Sequence, residues 1–315
     1  MGKAHAPRRG TLQFWHRVRS VRETARIRNW VISKDAKPLG FLGYKVGMCH
    51  AQVIDNRPKG MTKGEEISIP ATVVECPPLK VIAAHFYKNQ LGGLHTVSTV
   101  LSLPFDKELA RALPVAKKTQ KIEDVKHFDD VRLLVATQPS KMGFGTKKPK
   151  VAEIALGGTK DQKLKYAQEK LGKEITINEV FSAGNLTDIH AITKGKGFQG
   201  PVKRHGVMLR HHKSEKSRRA NVRGAWGGPS MWTAPHSGRL GYQQRVDYNK
   251  LVLKIGDHKE FASDTFHKYG LVKNPFLLIK GSVAGSKKRV ITFTQPMRPN
   301  KKVPKDAPVV KMMII

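Results

Sequence analysis

Between residues 191 and 250 the chain sets 13 lysines and arginines against two acids, Glu215 and Asp247, and breaks them up with nine glycines and two tryptophans. Such a segment has no core periodicity and cannot bury a core of its own, so a scaffold or a polyanion has to order it. The imbalance extends to the whole chain. Of its 315 residues, 58 are Lys or Arg and 24 are Asp or Glu, which gives a formal charge of +34. Self-repulsion at that charge opposes compaction, and the natural complement is a partner of high negative charge density such as a nucleic-acid backbone. A hydrophobic content of 39% still leaves material for a real core and separates the chain from a simple disordered polycation.

No run approaches the roughly 20 consecutive apolar residues of a membrane-spanning helix. The Arg-rich start, Met1 to Arg28, lacks the apolar centre of a secretory signal. Cys49 and Cys76 allow one disulfide at most, and two buried thiols in a reducing compartment is the simpler expectation.

Residues 1–39 are expected to form a basic arm, extended or irregular until it meets a partner, with Phe14, Trp15 and Trp30 among its arginines. Residues 40–103 turn to strand-like runs, FLGYKVGMCHAQVI, ISIPATVVEC, LKVIAAHFY and HTVSTVLSL, with Gly92-Gly93 placed as a hairpin connection between the last two. They predict the first part of an antiparallel barrel. Residues 104–181 read as an inserted α+β region. It opens with a helical stretch, KELARAL, between Pro104 and Pro114, and carries a second helix over about Lys160 to Leu171. There Thr159 and Gln162 form a capping box, Leu164, Ala167 and Leu171 share one face, and Gly172 ends the helix. Residues 182–199 return to strand character and a glycine loop, 200–240 form the basic excursion, 241–295 close the barrel, and 296–315 make a Pro/Lys-rich tail.

The string GKGFQG, Gly195 to Gly200, satisfies the dinucleotide expression. A dinucleotide fold needs a helix directly after the loop and a ribose-binding acid about 20 residues later. Here Pro201 and the basic PVKRHG follow, and Glu215 lies among lysines and arginines, so no helix and no ribose acid are expected. The better use of the loop is to bring backbone amides, with Lys194 and Lys196, close to an RNA backbone. No P-loop, G-x-S-x-G string or catalytic triad occurs, and His211-His212 has neither a Cys pair nor a carboxylate beside it to complete a metal site. Trp226 stands among Gly224, Gly227 and Gly228, which give it little to pack against. Stacking on a base fits it better than the core burial expected of Trp15 or Trp30.

Longer motifs then carry a resemblance. APRRGTLQFWHRVRS (Ala6 to Ser20), FLGYKVGM (Phe41 to Met48), TVVECPP (Thr72 to Pro78), the GGT-led helix from Gly157, Val180-Phe181, ITKGKGFQG (Ile192 to Gly200), GRLGYQQRVDYNKLVLKIG (Gly238 to Gly256) and KGSVAGSKKRVITF (Lys280 to Phe293) run in order along nearly the whole chain. Together they resemble the archaeal and eukaryotic branch of the large-subunit ribosomal protein L3 family. Trp226, in RGAW, matches the family's loop-tip tryptophan, although Gly227-Gly228-Pro229 replaces the usual polar residue and proline. Ser214 stands where eukaryotic members carry a histidine, and the eukaryotic-length insertion is missing, which points to the archaeal type.

The resemblance implies a mainly β fold with an α+β insertion: a six-stranded β-barrel of the translation-protein type, with a long basic N-terminal arm and a central loop extension. It implies a structural, non-enzymatic constituent of the large subunit in the cytoplasm, bound to 23S-type ribosomal RNA near its 3' end and to neighbouring ribosomal proteins. It would act early in assembly, with the loop tip nearing the peptidyl transferase centre. No catalytic residue, cofactor, metal, membrane or small-molecule substrate is expected. The residues expected on RNA are Arg8, Arg9, Arg17, Arg19, Arg22, Arg26 and Arg28 in the arm. In the glycine loop and the extension they are Lys194, Lys196, Lys203, Arg204, Arg210, Lys213, Lys216, Arg218, Arg219, Arg223, Trp226 and Trp232. Further along they are Arg239, Arg245, Lys287, Lys288 and Arg289. A free-standing basic RNA chaperone and an RNA-modifying enzyme using the GKGFQG loop are the rival readings.

Overall fold

The computed structural model describes residues 9–10, 13–14, 16–116, 118–209, 213, 235–261, 265–304 and 306–315. Strands run over Gly40–Ile54 (β1), Glu66–Glu75 (β2), Leu79–Gln90 (β3), Gly93–Leu101 (β4), Asp130–Ala136 (β5), Val151–Ala155 (β6), Glu174–Ile175 (β7), Leu186–Ile192 (β8), Phe198–Gln199 (β9), Gly238–Arg239 (β10), Gln244–Gly256 (β11), Phe276–Lys280 (β12), Val290–Thr294 (β13) and Val310–Ile314 (β14). The α-helices among the described residues are Lys160–Lys170 (α1) and Pro201–His205 (α2). The fold is mainly β.

Seven strands pair in the order β13-β8-β11-β12-β2-β1-β14, and β13 also pairs with β1. Six of them, from β1 through β2, β12, β11 and β8 to β13, therefore form a ring of pairings. The ring works because β1 is 15 residues long: its first third, Gly40 to Tyr44, matches Thr294 to Val290, while Tyr44 to Ile54 runs along Glu75 to Glu66. The apolar runs of β12 and β13 are buried almost throughout, as strands covered on both faces must be. Phe41, Val73, Ile189, Val252, Leu278 and Phe293 belong to the resulting core.

The second sheet has the order β4-β3-β5-β6, with β7 also on β3. Gly92-Gly93 does connect a hairpin, with Gln90 opposite Gly93. That hairpin, however, pairs with β5 of the inserted region and not with the ring, so residues 79–101 leave the barrel segment in which the 40–103 boundary placed them. Strand-like periodicity marks a strand without naming its partner. The stretch KELARAL also differs from expectation, giving a three-residue 3-10 turn, Leu109–Arg111, where Glu108 supplies no side-chain cap. Leu109 nevertheless packs with Ile82 and Ala136. Helix α1 forms as expected: the Thr159 N–H donates to Gln162 Oε1 at 3.0 Å and Ala167 is buried. In the tail, β14 pairs with β1, so the segment 296–315 contributes to the sheet.

The chain divides into two compact units, residues 1–21 with 192–244, and residues 22–191 with 245–315. The expected arm is split by this division. From Arg22 onward it is irregular but tied to the second unit: Lys150 Nζ donates to Glu23 Oε2 at 2.6 Å, the Gly158 N–H to Ser33 O at 2.8 Å, and Trp30 packs against the core. Cys49 and Cys76 are buried free thiols, and burial pushes the Cys49 thiol up to about 11.

Candidate nucleic-acid interface

The smaller unit is where the sequence's charge imbalance concentrates. Residues 1–21 and 192–244 hold five and eleven lysines and arginines respectively, with Glu215 as their one acid. Its described part is built around a short ribbon in which Phe198 and Gln199 of β9 pair with Arg239 and Gly238 of β10. The ribbon is pinned at the end where β9 begins and β10 ends. Lys196 N–H donates to Leu240 O and Leu240 N–H to Gly197 O, both at 2.9 Å, and Thr193 N–H donates to Gln243 O at 3.0 Å. Gln199 Nε2 donates back to Lys196 O at 2.7 Å.

Gly241 explains why the ribbon needs glycine. Its φ is +78°, and a Cβ there would stand 1.9 Å from the carbonyl oxygen of Lys194 and 3.0 Å from Gly195 Cα. No side chain fits that approach, so the Lys194–Gly195 backbone is clamped against Gly241 and the side chains of Lys194 and Lys196 are left exposed. Tyr242 follows at φ +54°, a sparsely populated conformation for a bulky residue. Its carbonyl accepts the Ser20 N–H at 2.7 Å, which places the arm beside the ribbon. Arg19, Ser20, Val21 and Tyr242 line an open cleft of about 440 Å³ there.

A helix does follow the GKGFQG loop, contrary to the sequence expectation. Proline's fixed φ and missing N–H suit the first helical position, so Pro201 opens α2 and Gly206 in the left-handed region ends it. At five residues α2 is far shorter than the crossover helix of a dinucleotide fold, and Glu215 lies outside the described residues. Arg204 of α2, expected from sequence on RNA, also has a structural role: its Nε donates to Arg239 O at 3.2 Å and its Nη1 to His236 O at 3.0 Å, so it braces the ribbon. Burial, then the charges of Arg17 and Arg204, hold the His205 imidazole below its ordinary range. Arg17, Arg204 and His205 are thus near neighbours, and an anion would relieve their repulsion.

Of the residues named from sequence, Arg9, Arg17, Arg19, Lys194, Lys196, Lys203, Arg204, Lys213 and Arg239 are described in this unit, and all except the partly buried Arg17 and Arg204 are exposed. Arg22, Arg26, Arg28, Arg245, Lys287, Lys288 and Arg289 belong to the other unit. There Lys287, Lys288 and Arg289 line a cavity of about 230 Å³ with Lys150, Tyr44 and Glu23. The hydrogen bond from Lys150 holds the Glu23 carboxyl below its usual range, so the cavity carries one committed acid among four cations. Arg8, Arg210, His211, His212, Lys216, Arg218, Arg219, Arg223, Trp226 and Trp232 lie outside the described residues. Among the described residues, no group of three His, Cys, Asp or Glu side chains is arranged to hold a metal.

Sequence reading missed Lys150, Tyr242 and Phe198. Lys150 joins its cavity through long-range folding and left no local signal. Tyr242 lies in the quoted GYQQR stretch, and Phe198 is the one aromatic inside the glycine loop, a signal that was available.

Fold and site describe a basic β protein that presents cations on a braced ribbon, a class suited to holding a polyanion. The chain belongs to the ribosomal protein L3 family, whose model matches residues 1–314. It is 40% identical to the large ribosomal subunit protein uL3 of Methanothermobacter thermautotrophicus, over 95% of this chain and 94% of that one. The uL3 of Archaeoglobus fulgidus is 41% identical over the same shares, and that of Methanopyrus kandleri 40% identical over 96% and 88%.

Proposed function

We propose that the chain is a structural constituent of the large ribosomal subunit, without enzymatic activity, that binds large-subunit ribosomal RNA. The observation carrying this reading is the smaller unit, whose 16 lysines and arginines stand against one acid in sequence and in which Lys194, Lys196 and Arg239 lie on or next to a glycine-clamped ribbon. Cations held on a constrained backbone neutralise phosphates of converging RNA segments and let those segments pack, at little ordering cost to the protein. Family membership supports the finer assignments. These are a six-stranded barrel of the translation-protein type built on the ring of pairings, binding near the 3' end of the RNA, early entry into assembly, and contact with neighbouring ribosomal proteins in the cytoplasm. The extension at 200–240 would reach toward the peptidyl transferase centre with Trp226 at its tip. Sedimentation of cell lysate at physiological salt tests the reading. The protein should run with the large subunit, whereas a free-standing RNA chaperone would remain mostly near the top of the gradient. Saturable nucleotide-cofactor binding by the purified chain would instead support a modifying enzyme.

A further inference from the structure

Phe198 is 73% exposed, on a ribbon whose backbone is hydrogen-bonded at one end to residues 193–197 and 240–243 and braced at the other by Arg204. Its partner across the ribbon is Arg239. Directly opposed residues of an antiparallel pair project from the same face, so the Phe198 and Arg239 side chains leave one face of the ribbon. Lys194 and Lys196, both exposed, are four and two residues before Phe198. A large aromatic presented to water beside a planar cation, in a unit with one acid in its sequence, has little use in a free protein. Its chemistry matches a nucleotide: the ring and the guanidinium offer a flat surface to a base, and the lysines meet the flanking phosphates.

We infer that Phe198 and Arg239 form a stacking platform for an unpaired RNA base, so that the ribbon binds single-stranded RNA in preference to helical RNA. The inference rests on the ribosomal RNA reading above and specifies the form of RNA that this surface takes. A base inside a duplex has both faces covered by its neighbours and leaves no face for the ring, whereas an extruded or loop base does.

The test uses the full-length protein with oligouridine, which does not pair with itself, and a blunt RNA duplex of equal length. Phe198→Ala should weaken oligouridine binding roughly five- to 150-fold, with an unchanged salt slope, and leave duplex binding unchanged. Phe198→Trp, which keeps the stacking face, should restore single-strand affinity. Equal affinity of Phe198→Ala and wild type for oligouridine overturns the platform, as does an equal loss on both RNAs. A wild-type chain that binds neither RNA overturns the ribosomal RNA reading, and the platform with it.

Discussion

Tyr269 Oη lies 2.5 Å from Glu75 Oε2, a hydrogen bond between residues 194 positions apart. The other carboxylate oxygen accepts the N–H groups of Lys273 and Asn274, both at 3.0 Å, and Asn274 Nδ2 at 2.6 Å. Glu75 is fully buried at the end of β2, so this one carboxylate anchors the whole 269–274 segment. Burial beside Glu75 pushes the Tyr269 hydroxyl far up, so it remains a donor at any ordinary pH. Removing one partner of a buried charged network leaves an acceptor unsatisfied, so Tyr269→Phe should lower unfolding free energy by about 1–3 kcal/mol. Glu75→Ala, which removes the acceptor of all four hydrogen bonds, should cost more. Denaturant midpoints measure both, and oligouridine affinity should not move, because the network is in the other unit from the ribbon.

Gly241→Ala should damage RNA binding with little change in the larger unit's stability. The new methyl would meet the Lys194 carbonyl, and the positive φ adds strain of about 1–2 kcal/mol. The contrast is Gly197→Ala, where φ is +69° but a Cβ meets nothing within 4 Å. Only the strain is expected there, and a smaller loss. Calorimetry would follow the main transition and filter binding the affinity. Equal affinities for the two variants would mean that the clamp on Lys194 does not matter.

Local chemistry was legible in the sequence, and partner choice was not. The hairpin glycines, the Thr159–Gln162 cap and the buried runs of β12 and β13 all act within a few residues, where pattern and turn chemistry decide. Whether Leu79–Gln90 pairs with β2 or β5 depends on contacts dozens of residues away, which periodicity does not encode. The site divides in the same way. The cations were visible one by one, but the Arg204 brace, the Gly241 clamp and the Lys150 cavity exist only after the chain has folded back on itself.

Stability should fall as pH drops below about 6.5. Burial lowers the pKa of His85 and His190 in the folded chain below the ordinary 6.5, with smaller contributions from neighbouring charges. Below 6.5 the unfolded chain therefore takes up protons that the folded imidazoles refuse, and the loss levels off only once the folded imidazoles protonate. Each histidine contributes a slope no steeper than about 1.4 kcal/mol per pH unit. Glu23 acts lower down. Its depressed pKa contributes stability that is present above the ordinary 4.5 and is lost as pH falls through the folded value. Denaturant midpoints from about pH 7.5 to 5.5 isolate the histidine part, and His190→Gln should flatten the curve. A wild-type midpoint independent of pH across that range would contradict the assignment.

Affinity for RNA should fall steeply with salt. Neutralising on the order of ten phosphates gives a log-log slope between about −7 and −9, on the single-strand and duplex coefficients. Single substitutions should then separate cations by role. Lys196 is exposed with its side chain beyond the ribbon's hydrogen bonds, so Lys196→Ala should make the slope shallower by roughly one unit with a modest loss of affinity. Arg17→Ala should do the same and, by removing a charge beside His205, let that imidazole protonate more readily. Arg204 differs, because its guanidinium is already engaged with the carbonyls of Arg239 and His236. Arg204→Ala should therefore reduce affinity more than Lys196→Ala while changing the slope less, since it loosens the ribbon that aims the other cations. Arg204→Lys, which keeps the charge but loses the planar fork, should resemble the alanine variant in affinity. If Arg204→Lys instead behaves as wild type, Arg204 acts as a point charge and the bracing role is wrong.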